Sequence, residues 1–312
     1  MQTTAKEAHI RLTKLYSPMP QPKPIYISPA TRYQNAALNY YLELTGSPYL
    51  HYGYWEPLPV CQNDLTIAKL RTAQEAYTVK LFSFIPAGTN TVLDVGCGIG
   101  GNAAYLKERG FTVEGLAPDP FQQQMFVERT NGQVPFHLTR FEDFPQNHSY
   151  DLILFSESSQ YMAADDLAQG AARLLNGGGY LLLADMIRTD GKYNEGIFSN
   201  CHVSSVLHDA LTQAGFSLVK TEDISAQVAP TIDLGIANFR TFGLSTIKYI
   251  ANLLAIAVPP IYHFLRWIFN RWVKNLIVEG LEARKIFDKH LCYQIQLWQL
   301  SKKDHENSSP TA

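Results

Sequence analysis

Apolar and polar positions switch between two spacings along the middle of this chain. Short runs of β-forming residues predict strands at Thr91–Val95, Thr112–Leu116, Val134–Leu138, Leu152–Ser156 and Tyr180–Asp185. Between them apolar residues recur every three or four positions, which predicts helices at Asn102–Arg109, Phe121–Arg129, Leu167–Leu175 and Ser204–Ala214. Upstream, Leu65, Ala68, Leu70, Ala73, Ala76, Tyr77, Leu81 and Phe84 give Asp64–Phe84 a helical stripe, with Asp64 as its N-cap. Thr31–Leu44 reads as a shorter helix. Gly177–Gly179 ends one helix and turns into the fifth strand. Gly215 caps another before a strand at Phe216–Thr221, and Cys292–Leu300 is a last strand. Such alternation predicts an α/β fold, a Rossmann-like, mostly parallel sheet with helices on both faces.

Two segments break the pattern. Ser17–Pro29 holds Pro18, Pro20, Pro22, Pro24 and Pro29, which exclude helix and central strand and predict an extended arm. From about Ala226 to His290 the pattern is helical without interruption by a strand. There Ile261, Phe264, Leu265, Ile268, Phe269, Trp272 and Leu276 share a helical face, and Arg266, Arg271 and Lys274 meet no acid before Glu279. An aromatic face beside basic residues suits a lid over a substrate, with reversible membrane contact as a second role. Tyr249–Leu265 is uncharged, but Asn252, Pro259, Pro260 and His263 interrupt it, and a spanning helix needs about 20 apolar residues. The expected division is an N-terminal arm and helix over 1–63, a cofactor-binding core over 64–225, a helical lid over 226–290, the core's final strand over 291–302 and a polar tail over 303–312.

Composition narrows the class. The chain has 312 residues and a formal net charge of -2, with no basic face to expect a nucleic-acid partner from. Met1–Tyr16 carries Lys6, Glu7, Arg11 and Lys14 without an apolar run, unlike a secretory signal. Cys61, Cys97, Cys201 and Cys292 form no C-x-x-C pair, which argues against zinc and a disulfide framework and fits a reducing cytoplasm.

The chemistry concentrates at Thr91–Gly101, TVLDVGCGIGG. A strand runs into a glycine-rich turn and a helix follows, so the backbone is open to close approach by a ligand. Gly96, Gly98 and Gly101 also satisfy the dinucleotide pattern G-x-G-x-x-G. Asp94, two residues before the first glycine, argues against that reading, because its carboxylate would face a pyrophosphate; a ligand carrying ammonium and sulfonium charges welcomes it. The run resembles the nucleoside-binding motif of the class I S-adenosylmethionine-dependent methyltransferases. That resemblance implies that Asp94, Gly96, Cys97 and Gly98 hold S-adenosylmethionine.

Other segments carry the same resemblance. Tyr49–Trp55, YLHYGYW, is similar to a segment of the branch containing cyclopropane-fatty-acid synthases and tocopherol methyltransferases, which implies Tyr52 and Gly53 beside the cofactor. A tyrosine ring face attracts a cation. At the end of the second strand the resemblance puts Ala117, followed by Pro118 at the cofactor, in the slot where an acidic residue normally binds the ribose, so that either Asp119 or Gln122 compensates or the pocket is altered; Asp119 also suits a helix N-cap. Arg140, Phe141 and Glu142 fall in the loop that flanks the adenine in that family, which implies Phe141 stacked on or over the base and Glu142 at its exocyclic amine. Ser156–Met162 resembles the E-S-x-x-H-M segment of tocopherol and sugar O-methyltransferases, with Glu157 at the cofactor and Tyr161 in place of the histidine. A tyrosine near 10 is a poor base beside a histidine near 6.5. His202 and His208 are candidate bases, and Ser225–Pro230 resembles the lead into the lid. The expected activity is methyl transfer to oxygen or carbon of a small apolar metabolite such as a phenol, quinone or polyketide. Two alternatives stay open: a cyclopropane-synthase-like lipid enzyme at a membrane, and a non-catalytic cofactor-binding module.

Overall fold

The computed structural model describes residues 42–145, 149–194 and 196–302. The prolyl arm, most of the helix expected at Thr31–Leu44 and the polar tail lie outside them, as do the side chains of Phe269, Trp272 and Leu276. Strands β1 (Thr91–Val95), β2 (Thr112–Ala117), β3 (Phe136–Leu138), β4 (Tyr150–Ser156), β5 (Leu175–Arg188), β6 (Phe216–Asp223) and β7 (Leu291–Leu300) form one seven-stranded sheet. Its order is β3-β2-β1-β4-β5-β7-β6. β7 pairs antiparallel with both β5 and β6, and the pairings from β3 through β5 are parallel.

Helices cover both faces, which is why the central strands read as continuous apolar runs. Helices α1 (Ile67–Phe82), α2 (Gly101–Glu108) and α3 (Pro120–Arg129) precede β4, and α4 (Ala164–Leu174) and α5 (Ser204–Gln213) flank β5. Val92, Leu152 and Leu154 pack with Tyr77, Leu106 and Phe126 on one face. Leu93, Ile153 and Phe155 pack with Leu167, Ala171 and Leu207 on the other. After β6 come α6 (Ser225–Asn238), a π-helical turn at Phe239–Gly243, α7 (Leu244–Ala257) and α8 (Pro259–His290), which leads directly into β7. Among the described residues no helix is long and apolar enough to cross a membrane.

Three of the boundaries that differ from expectation have a local cause. The N-cap of α1 is Thr66, whose hydroxyl accepts from the Lys69 amide at 3.2 Å, while Asp64 pairs with the Lys69 ammonium. β3 starts at Phe136 because Pro135 has no N–H to give, although its carbonyl accepts from Gly115. α4 stops at Leu174, and Leu175 is already extended and paired with Tyr150. The glycines therefore lie within β5, where the register shifts. Gly178, at φ +85°, takes a conformation there that a side chain would strain.

Candidate active site

The parallel strands β1, β2, β4 and β5 end on the same edge of the sheet, and the loops leaving them build the site. After β1 the chain turns through Gly96, Gly98 and Gly100, all at positive φ, before α2 begins at Gly101. A Cβ on Gly96 would sit 2.3 Å from Cβ of Ser158, so close packing as well as dihedral angle requires glycine. The Ser158 hydroxyl donates to the Val95 carbonyl at 2.5 Å, tying the β4 loop to the end of β1.

Asp94 is buried, and its Oδ2 has no hydrogen-bond partner among the described residues. Burial alone lifts its pKa to about 7. A carboxylate withheld from water and from donors is stabilised by an incoming cation.

Segment 47–55 crosses this edge as a strap. Gln74 of α1 fixes it by donating from Nε2 to the carbonyls of Tyr49 and His51. Leu50 lies against Gly98: a Cβ there would meet its Cδ1 at 3.2 Å. The Tyr52 amide donates to Glu157 Oε1 at 2.8 Å. Further on, the Gly53 amide and the Trp55 indole both donate to the Thr231 hydroxyl on α6, at 3.1 and 2.9 Å. His51 is buried against the Tyr49 and Tyr77 rings and donates from Nδ1 to its neighbour's carbonyl. Desolvation lowers its pKa to about 4, so it is a neutral structural group.

Glu157 holds φ +58°, a left-handed conformation uncommon for a residue with a side chain. Its Oε1 accepts from Tyr52 and, at 2.8 Å, from the Tyr293 hydroxyl. With that proton committed, the Tyr77 hydroxyl donates to Tyr293 at 2.7 Å. Burial is the main reason the Glu157 pKa rises to about 8; the two donors to it oppose the rise and the nearby Asp185 adds to it. Asp185 on β5 is buried, with a pKa raised by burial to about 6, and accepts from the Ser159 amide and hydroxyl at 3.0 and 2.6 Å.

Next to Tyr52 opens a cavity of about 770 Å³. Ile232 and Ile236 of α6, Phe239 of the π turn, Ile247 of α7 and Ile277 of α8 supply apolar walls. Gly235 and Gly280 widen it where a side chain would project.

The expected site residues separate into groups. Tyr52, Gly53, Asp94, Gly96, Gly98 and Glu157 gather at this strand-end edge. Cys97 is in the turn but its thiol points into the core, 3.0 Å from where a Gly115 Cβ would be. Ala117 is buried at the end of β2, Pro118 is exposed, and Asp119 spends its Oδ1 capping α3 through the Phe121 amide at 3.0 Å. Gln122 is half-buried on that helix.

Phe141 is core: it lies edge-on to Phe155 and fills the space beside Gly170. Arg140 and Glu142 pair with each other at 2.7 Å. Tyr161 is 63% exposed at the end of a short 3-10 turn, and desolvation and neighbouring carboxylates raise its pKa, against a role as base. His202 donates from Nε2 to the Ser159 carbonyl at 2.9 Å, and burial lowers its pKa. His208 lies on exposed α5, edge-on to Trp298.

Residues 92–179 match a family model described as a methyltransferase domain. The chain is 31% identical over 202 residues to "Methyltransferase GfsG" of Streptomyces halstedii, covering 58% of this chain and 70% of that one. The chain belongs to the class I S-adenosylmethionine-dependent methyltransferases. It is also 30% identical to "O-methyltransferase cnsE" of Penicillium expansum, over 63% of this chain and 74% of the relative. Its fold matches geranyl diphosphate C-methyltransferase from Streptomyces coelicolor A3(2) with a TM-score of 0.60 at 18% identity, covering 87% and 99% of the two chains.

Membership fixes S-adenosylmethionine as the cofactor of this methyltransferase, and the strand-end edge suits it. Gly96, Gly98 and Gly100 let the turn take its positive-φ path at the end of β1, and Asp94 Oδ2 is buried without a hydrogen-bond partner among the described residues. Both are fitted to a ligand that approaches the backbone closely and carries an ammonium group. Sequence reading missed Tyr77, Asp185, Thr231 and Tyr293. Tyr77 sits in an apolar helical stripe and Tyr293 in an apolar strand, so both read as core.

Proposed function

We propose that this methyltransferase modifies oxygen or carbon of a small, apolar metabolite of the phenol, quinone or polyketide kind, with Glu157 as proton acceptor. One observation carries the reading: the largely apolar cavity of about 770 Å³ beside Tyr52, whose amide is bonded to Glu157. That volume lies within the range of drug-sized ligand pockets, about 300–1,000 Å³. The relatives named for O-methylation and for C-methylation of a prenyl diphosphate support both atom types.

When bound, the cofactor supplies an electrophilic methyl group on a sulfonium. The chain's own residues do the rest. Asp94 and the glycine turn hold the methionine end, and Asp119 and Gln122 stand in for the missing acid at Ala117. The strap and α6 exclude water and align the acceptor, which dominates catalysis of an in-line displacement. Among the described residues no hydrogen bond reaches the other carboxylate oxygen of Glu157, Oε2. A pKa of about 8 in the free protein makes it protonated more often than not at neutral pH, and positive charge brought to this edge by the cofactor would lower that value toward the range of an effective base. Tyr161 and His202, from the segments after β4 and β5, are the acceptor-binding groups of this reading. The helices after β6 form the lid.

A transfer assay with tritiated methyl donor on metabolite and lipid extracts tests it. Label in small apolar molecules is expected. Label in phospholipid acyl chains would favour a cyclopropane-synthase-like lipid enzyme instead.

A further inference from the structure

α7 contains no buried residue. Its Tyr249, Ile250, Leu253 and Ile256, with Phe264 and Trp267 of α8, are exposed, and Ile256 and Trp267 are 80% exposed each. A continuous apolar surface of this kind is rare on a soluble monomer and marks an interaction site.

The charges around it have one sign. From 234 to 278 the sequence contains no aspartate or glutamate. Arg240, Lys248, Arg266 and Lys274 are exposed in that stretch, and none forms an ion pair with a described residue. Nearer the end of α8 the surface is ordinary: Arg284 pairs with Asp233 and Asp288, and Lys285 with Glu282. Unpaired cations are thus concentrated where the apolar side chains are exposed.

This combination selects the occupant. A second copy docked face to face would bring like charges together. The residues before 42 carry Lys6, Arg11, Lys14, Lys23 and Arg32 against one acid, Glu7, so they match the surface in sign rather than complement it. Anionic lipid headgroups complement the cations, and the boundary below them takes tryptophan, tyrosine and branched aliphatic side chains.

The same helices roof the cavity. Ile247 of α7 lines it and is itself partly exposed, and Tyr52, whose amide is bonded to Glu157, lines it as well. We propose that α7 and the start of α8 dock on an anionic lipid bilayer, so that an apolar acceptor dissolved in the membrane passes beneath α7 to the methyl-transfer site without crossing bulk water. The access route rests on the apolar-acceptor reading; the docking surface stands without it.

Flotation of the full chain with vesicles decides the matter. Wild type is expected to float with phosphatidylcholine vesicles containing about a third phosphatidylserine, and far less with phosphatidylcholine alone. Lys248→Ala with Arg266→Ala should weaken anionic-vesicle binding by about fivefold per cation removed. Ile256→Glu with Trp267→Glu should abolish it. Both double variants change residues remote from the cofactor edge, so unchanged affinity for S-adenosylhomocysteine shows that they are folded. Failure of wild type to float with anionic vesicles, or flotation of both double variants as well as wild type, overturns the proposal. Flotation uses no acceptor, so such a failure leaves the acceptor reading intact, just as a wrong acceptor leaves flotation intact.

Discussion

The Tyr52 amide meets Glu157 Oε1 at 2.8 Å across 105 residues of sequence. This bond joins the strap before α1 to the loop after β4, and it fixes the carboxyl that the site leaves half free. Tyr293 reaches the same oxygen from β7, the last strand to be made. The site is therefore complete only when both ends of the described chain are in place.

Glu157→Gln keeps an acceptor oxygen for Tyr52 and Tyr293 but cannot take a proton. Loss of a general base costs roughly 10²–10⁴ in rate. We expect a fall of that size in the methyl-transfer rate constant, with S-adenosylhomocysteine affinity within a few-fold of wild type. Paired turnover and calorimetry check it, and an unchanged rate removes Glu157 from proton transfer.

Tyr293→Phe removes one donor to the Glu157 carboxylate. A hydrogen bond to a charged group contributes about 1.5–3 kcal/mol. The variant should raise the carboxyl's pKa, and the lower limb of the pH–rate profile should move to higher pH. A rate drop without any shift in the limb would make Tyr293 a packing residue.

Burial holds the pKa values of Asp94, Glu157 and Asp185 at about 7, about 8 and about 6, against ordinary carboxyl values near 4. The folded protein therefore binds more protons than the unfolded chain across this window. Stability from these groups is fully present below about pH 4 and is lost as pH rises through about 8. Melting temperature without cofactor should fall between pH 5 and 8. S-adenosylmethionine, which brings positive charge, should stabilise more at pH 8 than at pH 6. Thermal melts with and without ligand read both effects, and a ligand shift independent of pH would disconnect these carboxyls from the cofactor.

Gly235 lines the cavity, and a Cβ there would meet nothing within 4 Å. Gly235→Leu should fold at least as well as wild type, since leucine is favoured over glycine in a helix interior by about 0.8 kcal/mol. Its side chain should fill part of the cavity and raise the KM for bulky acceptors more than for small ones, with cofactor affinity unchanged. Equal effects on all acceptors would place the acceptor elsewhere.

The sheet was legible because its signals are local: apolar runs, glycine turns and helical stripes each occupy a few consecutive residues. The boundaries that moved, at Thr66, Phe136 and Leu175, turn on a single hydroxyl, a missing N–H and a strand pairing. The candidate site was legible only where a motif is contiguous, as at Asp94–Gly98 and Glu157. Tyr77, Tyr293 and Thr231 contribute through bonds spanning 136 to 216 residues, and no local pattern distinguishes a buried tyrosine with a working hydroxyl from one that only packs. Phe141 shows the converse: a loop position suggested an aromatic cover for a base, and Phe155 and Gly170 claim the ring for the core.

Asp94 offers the most direct test of where the cofactor sits. Calorimetric titration of S-adenosylhomocysteine into wild type should give micromolar affinity, roughly -8 kcal/mol. Asp94→Asn replaces the charge with a neutral amide of the same shape and should weaken binding by roughly tenfold or more, the loss of a charge-assisted bond of about 1.5–3 kcal/mol. Binding by Asp94→Asn equal to that of wild type would contradict a cofactor site built on the end of β1.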